Sequence, residues 1–319
     1  MNNAKKGKVV RMSKTAFIFP GQGTQNCGMG KDFYDQIPVS KEIYQLAGKV
    51  TGLDMEELCF EKNEKLNITE YTQIAILATE VAILIALEQK NIKADVTAGL
   101  SLGEYGALVA AEVLTLQDAF SLVRKRGIFM QEAVPTGGTM AAVLGMDGNQ
   151  VEKICASVEG EVTVANYNCP GQIVITGEEK AVTLAAEKLK EAGAKRCLPL
   201  TVSGPFHSPM LKGAGDKLKE ALEEVNILDM KIPYIANVTA DYVTDKSLVK
   251  ELLVKQVSSS VKWQQTVERM IDDGVTTFVE IGPGKTLAGF IKKINSEVKV
   301  YNVEKVADLD TVAAALNEG

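Results

Sequence analysis

Cysteine is scarce in this sequence, and its few copies do not stand where a cross-link or a metal site would need them. The five cysteines among 319 residues are an odd number, and no two of them form a C-x-x-C pair. This pattern argues against a disulfide framework and against a zinc site, and it is typical of proteins kept in a reducing compartment. We therefore expect a cytoplasmic protein without a bound metal.

Basic charge is also in short supply. The 35 lysines and arginines are outnumbered by 41 aspartates and glutamates, which gives a formal net charge of −6 at pH 7. No block of basic residues runs through the body of the chain. Such a protein is a poor partner for nucleic acid or for an anionic membrane. Any acidic partner would have to dock on a local basic patch.

Segments that would direct the chain to a membrane are missing too. The most apolar stretch, residues 74–87, is too short to span a bilayer and carries Glu80 in its middle, so it is predicted to be a buried core helix. Residues 1–14 are basic but lack the apolar region of a signal peptide. We interpret residues 1–11 as a leader or tail, because Met12 directly precedes the first strand-like run.

The length and the alternation of patterns predict an α/β protein. A chain of this size suits one large α/β domain or a large domain plus an insert. Strand-like runs occupy residues 15–19 and 96–100. Helical patterns occupy residues 31–51, 69–89, 102–114 and 116–133. This alternation predicts a mostly parallel sheet covered by helices on both faces.

The pattern changes at residues 135–138, where Pro-Thr-Gly-Gly interrupts the chain. Between this point and residue 200, strands and helices follow in the order βαββαβ, which is the ferredoxin-like pattern. The first pattern then resumes, with helices predicted at residues 210–225, 248–256 and 261–273 and strands at 231–236 and 277–281. We expect a large subdomain of residues 12–137 and 201–319, with residues 138–200 inserted as a small one.

The segment Gly99-Leu100-Ser101-Leu102-Gly103 has the form G-x-S-x-G between a predicted strand and a predicted helix. Small residues around the serine allow a sharp turn, so that its hydroxyl projects at the edge of the sheet. The N-terminus of the following helix would favour developing negative charge there. The pattern indicates a nucleophile, and the alternative is a structural turn serine.

A serine nucleophile usually needs a base, and His207 is the only histidine in the chain. It lies in a predicted loop before a helix, where catalytic side chains are common; the alternative is an exposed loop histidine. No aspartate stands out as a third triad member, although Asp241 and Asp245 are possible by position. A backbone carbonyl or an amide could orient the imidazole instead.

With these residues in view, the sequence resembles the malonyl-CoA:acyl-carrier-protein transacylase family, in its free-standing bacterial form. Six stretches carry the resemblance in the family's order, at residues 19–25 (FPGQGTQ), 99–105 (GLSLGEY), 126–131 (RGIFMQ), 166–172 (NYNCPGQ), 204–207 (GPFH) and 280–285 (EIGPGK). Together they span nearly the whole chain from Thr15 onward. The resemblance implies an α/β-hydrolase-like core with a ferredoxin-like insert.

The resemblance also implies roles for individual residues. Ser101 would be the acylated nucleophile and His207 its base. Backbone N–H groups of Gln22 and Leu102 would form the oxyanion hole, and the Gln256 carbonyl would orient the imidazole in place of a triad carboxylate. The family usually has histidine just before the serine, and this chain has leucine there.

Substrate selection follows from the same resemblance. Arg126 would pair bidentately with the malonyl carboxylate, a task that suits a planar guanidinium better than a lysine; its alternative is a solvated helix face. Met130, Asn168 and Phe206 would line the substrate pocket. The Phe206 ring would crowd an α-methyl branch, which favours malonyl over methylmalonyl by about 1–3 kcal/mol per methyl group.

The implied reaction moves malonyl from coenzyme A to the phosphopantetheine thiol of acyl carrier protein, through a malonyl-serine in a ping-pong scheme that supplies fatty-acid biosynthesis. Coenzyme A is substrate and product, and no cofactor is expected. A monomer is the default. Because the carrier protein is acidic, a local basic patch is expected from Lys195, Arg196, Lys285, Lys292 and Lys293.

Three rival functions share parts of this pattern. A serine thioesterase or esterase would use the same Ser101–His207 pair and differ only in the acyl acceptor. A phosphate-binding loop at residues 282–286 fails, because the pattern needs glycine where Val279 stands. A non-catalytic carrier-binding subunit would have no use for Ser101 and His207 in matching contexts.

Overall fold

The computed structural model describes residues 13–317, so the predicted leader or tail at residues 1–11 lies outside the described part. The strands are β1 Lys14–Phe19, β2 Val96–Gly99, β3 Gly138–Leu144, β4 Val162–Cys169, β5 Gln172–Glu178, β6 Arg196–Pro199, β7 Tyr234–Ala236, β8 Asp241–Val243, β9 Val275–Ile281 and β10 Lys299–Val303. The helices are α1 Lys31–Gln36, α2 Pro38–Thr51, α3 Met55–Phe60, α4 Thr69–Gln89, α5 Gly103–Ala110, α6 Leu116–Ala133, α7 Gly148–Cys155, α8 Glu179–Glu191, α9 Lys212–Glu223, α10 Val249–Val257, α11 Trp263–Asp272, α12 Thr286–Ile294 and α13 Val306–Asn317.

The larger sheet has six strands in the order β10-β9-β1-β2-β7-β8. All neighbouring pairs are parallel except β7 and β8. The carboxyl ends of β9, β1, β2 and β7 therefore meet at one edge, which is where open parallel sheets bind their ligands. The predicted parallel sheet is confirmed, and its central strands carry a buried apolar core on each face.

The second sheet is separate and wholly antiparallel, with the strand order β4-β5-β3-β6. Its elements follow one another as βαββαβ, which is the order that the sequence predicts. It has its own apolar cluster, which includes Val143, Val151 and Leu189. Two backbone hydrogen bonds join it to the segment before α11, from Tyr167 N to Val261 O at 2.9 Å and from Val261 N to Ala165 O at 2.8 Å.

Several predicted boundaries change. The single helix predicted at residues 31–51 is two helices, because Ile37 is extended and Pro38 begins α2. The helix predicted at 102–114 ends at Ala110. Elements α3, β8, α12, β10 and α13 have no counterpart in the sequence-based prediction. They lie in segments where the apolar periodicity is short or interrupted by glycine and charge.

Helix α4 is the apolar segment predicted to be a core helix. It has 21 residues, so the expectation that it is too short to span a bilayer is wrong: by length and composition alone it would qualify. Burial decides the matter, because 83% of its most apolar window is enclosed by protein. It packs chiefly against α2 and α6 and forms the centre of the larger apolar cluster.

Backbone contact between β1, β2 and α5 fixes the start of α5. A Cβ placed on Gly103 would overlap the carbonyl oxygen of Phe19, and one placed on Gly99 would overlap the carbonyl oxygen of Gly103. Both glycines of the G-x-S-x-G segment are thus required, because the main chains approach so closely that no side chain fits at either position.

This packing yields a stability test. Gly103→Ala should lower the free energy of unfolding by at least ~2 kcal/mol, because the methyl group meets rigid backbone. Gly289→Ala is the matched control: it lies in α12 with nothing within 4 Å of its new Cβ, and should be neutral or stabilising by up to ~1 kcal/mol. Urea unfolding followed by the fluorescence of buried Trp263 measures both. Equal effects of the two changes would contradict the account.

Candidate active site

Ser101 follows β2 directly and adopts a left-handed backbone conformation, with φ of 55°. Such a conformation is strained for a residue with a Cβ and persists where its surroundings impose it. Asn237, placed just after the neighbouring strand β7, supplies the restraint. Its Oδ1 accepts from the Ser101 N–H at 2.7 Å, and its Nδ2 donates to Gly99 O at 2.6 Å. The turn is therefore held from the next strand along.

His207 lies within hydrogen-bond distance of this serine. Its Nε2 is 2.8 Å from Ser101 Oγ, and its Nδ1 is 2.9 Å from the carbonyl oxygen of Gln256. A carbonyl only accepts, so Nδ1 carries the proton and the neutral ring presents Nε2 as an acceptor. The structure thus places the imidazole between the serine hydroxyl and the orienting carbonyl, which is the arrangement of a nucleophile activated by a base.

The aspartates considered for a triad lie elsewhere. Asp241 is exposed and pairs with Arg269 at 3.4 Å. Asp245 is exposed and accepts from the Ser247 N–H at 2.8 Å. Neither hydrogen-bonds His207 in the described part of the chain, and the ring is oriented by main chain.

Burial shapes the protonation of the imidazole. His207 is only 4% exposed, and loss of solvent, followed by the nearby positive charge of Arg126, lowers its pKa to about 4 despite the accepting carbonyl of Gln256. The ring is consequently neutral at physiological pH. A neutral imidazole is the form that a general base requires.

Arg126, on α6, is wholly buried and not on a solvated helix face. Its Nη1 donates to Gln73 Oε1 at 2.6 Å, and its Nη2 donates to Gln256 Oε1 at 2.9 Å and lies 3.3 Å from Ser101 Oγ. The guanidinium also sits 5.4 Å from the centre of the Tyr105 ring. A permanent positive charge thus lies directly beside the Ser101 hydroxyl.

A buried carboxylate completes the polar network and was not assigned a role from the sequence. Glu104 Oε2 accepts from Gln256 Nε2 at 2.8 Å and from the Asn237 N–H at 3.1 Å. Burial raises the pKa of Glu104 to about 7, while the hydrogen bonds from Gln256 and Asn237 and the charge of Arg126 act in the opposite direction. In the sequence, Glu104 is marked only by its place inside the stretch 99–105. No sequence pattern marks Asn237 or Gln73 as part of the site.

Ser101 lines a cleft of about 210 Å³ between the two sheets. The predicted pocket residues Met130, Asn168 and Phe206 all line it, with further apolar side chains from the small sheet and α12. Gln22 and Leu102 line it too. Within residues 13–317 the backbone N–H groups of these two residues have no protein acceptor, so they are available to an oxyanion.

Leu100 occupies the position where the resemblance leads one to expect histidine. It lines the cleft and packs against the apolar cluster behind the sheet that contains Ile18 and Trp263. The leucine does not disturb the contact between Ser101 and His207.

The predicted basic residues are all exposed and fall into two groups. Lys285 precedes α12, whose first residues line the cleft, and Lys292 and Lys293 lie near the end of the same helix. Lys195 and Arg196 lie at the start of β6, an edge strand of the small sheet. Lys293 also donates to Gln172 Oε1 at 3.2 Å. Among residues 13–317, no cluster of three His, Cys, Asp or Glu side chains could hold a metal ion.

The sole histidine allows a direct test of this electrostatic account. In protein made without a histidine tag, an NMR titration should show the ring neutral down to a midpoint near pH 4, whereas the urea-unfolded chain should titrate near the ordinary value of about 6.5. Because the native pKa is the lower one, the unfolded state binds more protons between these values, and stability falls as the pH drops from about 6.5 to 4. A native midpoint above 6 would contradict the account.

Comparison with known proteins agrees with this geometry. Residues 16–311 match the acyl transferase domain family. The chain is 48% identical to the malonyl CoA-acyl carrier protein transacylase of Bacillus subtilis strain 168 over 310 residues, which are 96% of this chain and 97% of that protein.

Solved structures extend the match to three dimensions. The transacylase of the same name from Clostridium perfringens ATCC 13124 superposes with a TM-score of 0.93 at 45% identity, covering 96% of this chain and 98% of that one. A malonyl-transacylase in complex with its type II PKS acyl-carrier protein gives 0.92 at 40% identity, covering 95% and 100%. By sequence, fold and site geometry, the chain belongs to the malonyl CoA-acyl carrier protein transacylase family.

Proposed function

We propose that this chain transfers the malonyl group of malonyl-CoA to the phosphopantetheine thiol of an acyl carrier protein, through a malonyl-serine on Ser101. The observation that carries the proposal is the 2.8 Å contact between Ser101 Oγ and His207 Nε2 beside a buried arginine. The names of the similar proteins identify the acyl group and its acceptor. We further propose that the enzyme acts as a cytoplasmic monomer and supplies fatty-acid biosynthesis.

The first half-reaction acylates the serine. Ser101 Oγ attacks the thioester carbonyl carbon while its proton passes to His207 Nε2. The N–H groups of Gln22 and Leu102 hold the oxyanion of the tetrahedral intermediate. The carbon–sulfur bond then breaks, and the departing coenzyme A sulfur takes the proton from the imidazolium. The Gln256 carbonyl stabilises that imidazolium through Nδ1–H.

In the second half-reaction the carrier thiol is the attacking group and Ser101 Oγ is the leaving group. The carrier thiol gives its proton to His207 and attacks the malonyl-serine carbonyl. Collapse of the intermediate breaks the bond to Ser101 Oγ, which regains the proton from the imidazolium. One base thus serves both steps, as a ping-pong scheme requires.

Arg126 is proposed to bind the malonyl carboxylate. A guanidinium has five N–H donors, and hydrogen bonds to Gln73 and Gln256 leave others available. In a cleft with mostly apolar walls a carboxylate needs such a partner. Phe206, Met130 and Asn168 shape the space around it, and the Phe206 ring would exclude an α-methyl branch.

The architecture is consistent with a two-part division of the chain. We propose that the parallel sheet and its helices form an α/β-hydrolase-like subdomain of residues 12–137 and 201–319. The antiparallel sheet of residues 138–200 would then be a ferredoxin-like insert. The cleft lies between them, and the chemistry needs no cofactor other than the coenzyme A of the substrate.

Mass spectrometry tests the covalent intermediate. Incubation with malonyl-CoA should add one malonyl group, located by peptide mapping on Ser101, and carrier protein should remove it. Ser101→Ala should carry no adduct. Rapid loss of the adduct to water as malonate, before any thiol is added, would favour the thioesterase alternative and contradict the proposal.

Arg126→Ala tests the carboxylate site. The change should lower kcat/KM for malonyl-CoA by about 10- to 100-fold, since a buried carboxylate loses a charged partner, while acetyl-CoA is much less affected. Arg124→Ala on the same helix is the matched control, because Arg124 pairs with Glu70 at 2.8 Å and has no contact with Ser101. An unchanged preference in Arg126→Ala would remove this residue from the substrate site.

We also propose that the carrier protein docks on the five basic residues at the cleft rim and on β6. Reversing the charge of Lys285, Lys292 and Lys293 together should raise KM for the carrier several-fold and leave KM for malonyl-CoA unchanged. Lys49→Glu, on α2 and away from the cleft lining, is the control. No rise in KM for the carrier would discard the α12 part of the patch, and the corresponding double charge reversal at Lys195 and Arg196 would test β6.

A further inference from the structure

We propose that Glu104 is a positioning residue for the guanidinium of Arg126, acting through the side-chain amide of Gln256. The inference rests on the proposed role of Arg126 in binding the malonyl carboxylate. It assigns a task to the one buried carboxylate in the network around the nucleophile.

The contacts form an unbroken chain from the carboxylate to the guanidinium. Glu104 Oε2 accepts from Gln256 Nε2 at 2.8 Å, and Gln256 Oε1 accepts from Arg126 Nη2 at 2.9 Å. All three side chains are at most 1% exposed, so water does not compete for these bonds. In this pair of hydrogen bonds, the Gln256 amide connects the Glu104 carboxyl group to the Arg126 guanidinium.

The polarity of this chain is fixed by its two ends. Arginine can only donate, and Glu104 Oε2 accepts from both Gln256 Nε2 and the Asn237 N–H. Gln256 must therefore turn its Nε2 toward Glu104 and its Oε1 toward Arg126. If the carboxylate were replaced by a neutral amide, the Gln256 side chain could flip and present donors to the guanidinium, which would then lose an acceptor and be displaced.

The indirect arrangement has a consequence for substrate binding. Within the described residues no carboxylate lies within 4.0 Å of the Arg126 nitrogens. A direct ion pair would occupy the donors that the malonyl carboxylate needs. Placing the negative charge one amide away compensates the buried cation and leaves those donors for the substrate.

Besides its part in this relay from Glu104 to Arg126, Gln256 makes two further contacts. Its main-chain carbonyl orients His207, and its side-chain Nε2 also donates to Ser101 O at 2.8 Å. Displacement of the Gln256 side chain would first change the position of the Arg126 guanidinium. The backbone carbonyl lies in the last turn of α10 and accepts from the Ser259 N–H at 3.5 Å, so it need not move with the side chain.

Glu104→Gln, which keeps the shape of the side chain, is the decisive variant. We expect the ratio of kcat/KM for malonyl-CoA to that for acetyl-CoA to fall about tenfold, equivalent to roughly 1.4 kcal/mol. In an Arg126→Ala background the same change should leave the ratio unaltered. A proportional loss with both substrates, in both backgrounds, would mean that Glu104 only supports the fold and would overturn the proposal.

A second variant keeps the test independent of how well Glu104→Gln folds. Gln256→Met removes the amide but retains the backbone carbonyl, and should lower the same ratio; adding Glu104→Gln to it should have no further effect on the ratio. Gln73→Met, which removes the other amide on Arg126 and does not touch Glu104, is the control, and its effect should add to that of Glu104→Gln. Additivity with Gln256→Met would contradict the relay.

The two proposals fail in different ways. If Arg126→Ala alone leaves the malonyl preference intact, the carboxylate site itself is wrong. If Arg126→Ala abolishes the preference but Glu104→Gln and Gln256→Met do not alter it, only the relay is wrong.

Discussion

The proposed chemistry depends on the hydrogen bond between Ser101 Oγ and His207 Nε2. It joins residues 106 positions apart, and both hold left-handed backbone conformations, with φ of 55° and 60°. Such conformations are costly unless their surroundings impose them. The parallel sheet provides that setting, because it brings the end of β2 beside the end of β7, where Asn237 holds the serine turn.

The second constraint is the buried positive charge of Arg126. Burial, followed by the charge of Arg126, lowers the pKa of His207, and Arg126 lies 3.3 Å from Ser101 Oγ. The group that would bind the substrate therefore also helps to keep the imidazole neutral. Its guanidinium is joined to the Glu104 carboxyl group through the side-chain amide of Gln256. The proposed base and the proposed acyl-binding arginine therefore both contact Gln256, which is buried.

How much of this could be predicted from the sequence depended on the kind of signal. Ser101 stood in a motif whose glycines are needed by main-chain contact, and His207 had no rival in the chain, so both could be named. The alternation of strands and helices predicted the parallel sheet, and the order βαββαβ matched the second sheet. These features are local or unique, and they are visible without knowing which segments meet in space.

The residues that were missed depend on long-range contacts. Asn237 is an ordinary asparagine in the sequence, and it matters only because β7 lies beside β2. Gln73 belongs to an apolar helix, and its function comes from facing α6. The break before Pro38 could have been anticipated from proline chemistry, whereas α12 follows a glycine-rich turn at residues 282–284 and has a glycine inside it, so its periodicity is weak. The contacts of Asn237 and Gln73 depend on which strands and helices are neighbours, and residue type alone does not reveal this.

The most direct measurement of the central claim is the pre-steady-state release of coenzyme A from malonyl-CoA in the absence of carrier protein. The account predicts a rapid burst of one thiol per chain, as Ser101 is acylated with His207 as base, and its loss in His207→Ala. Slow linear release without a burst, or a burst of unchanged rate in His207→Ala, would contradict the claim that this imidazole activates this serine.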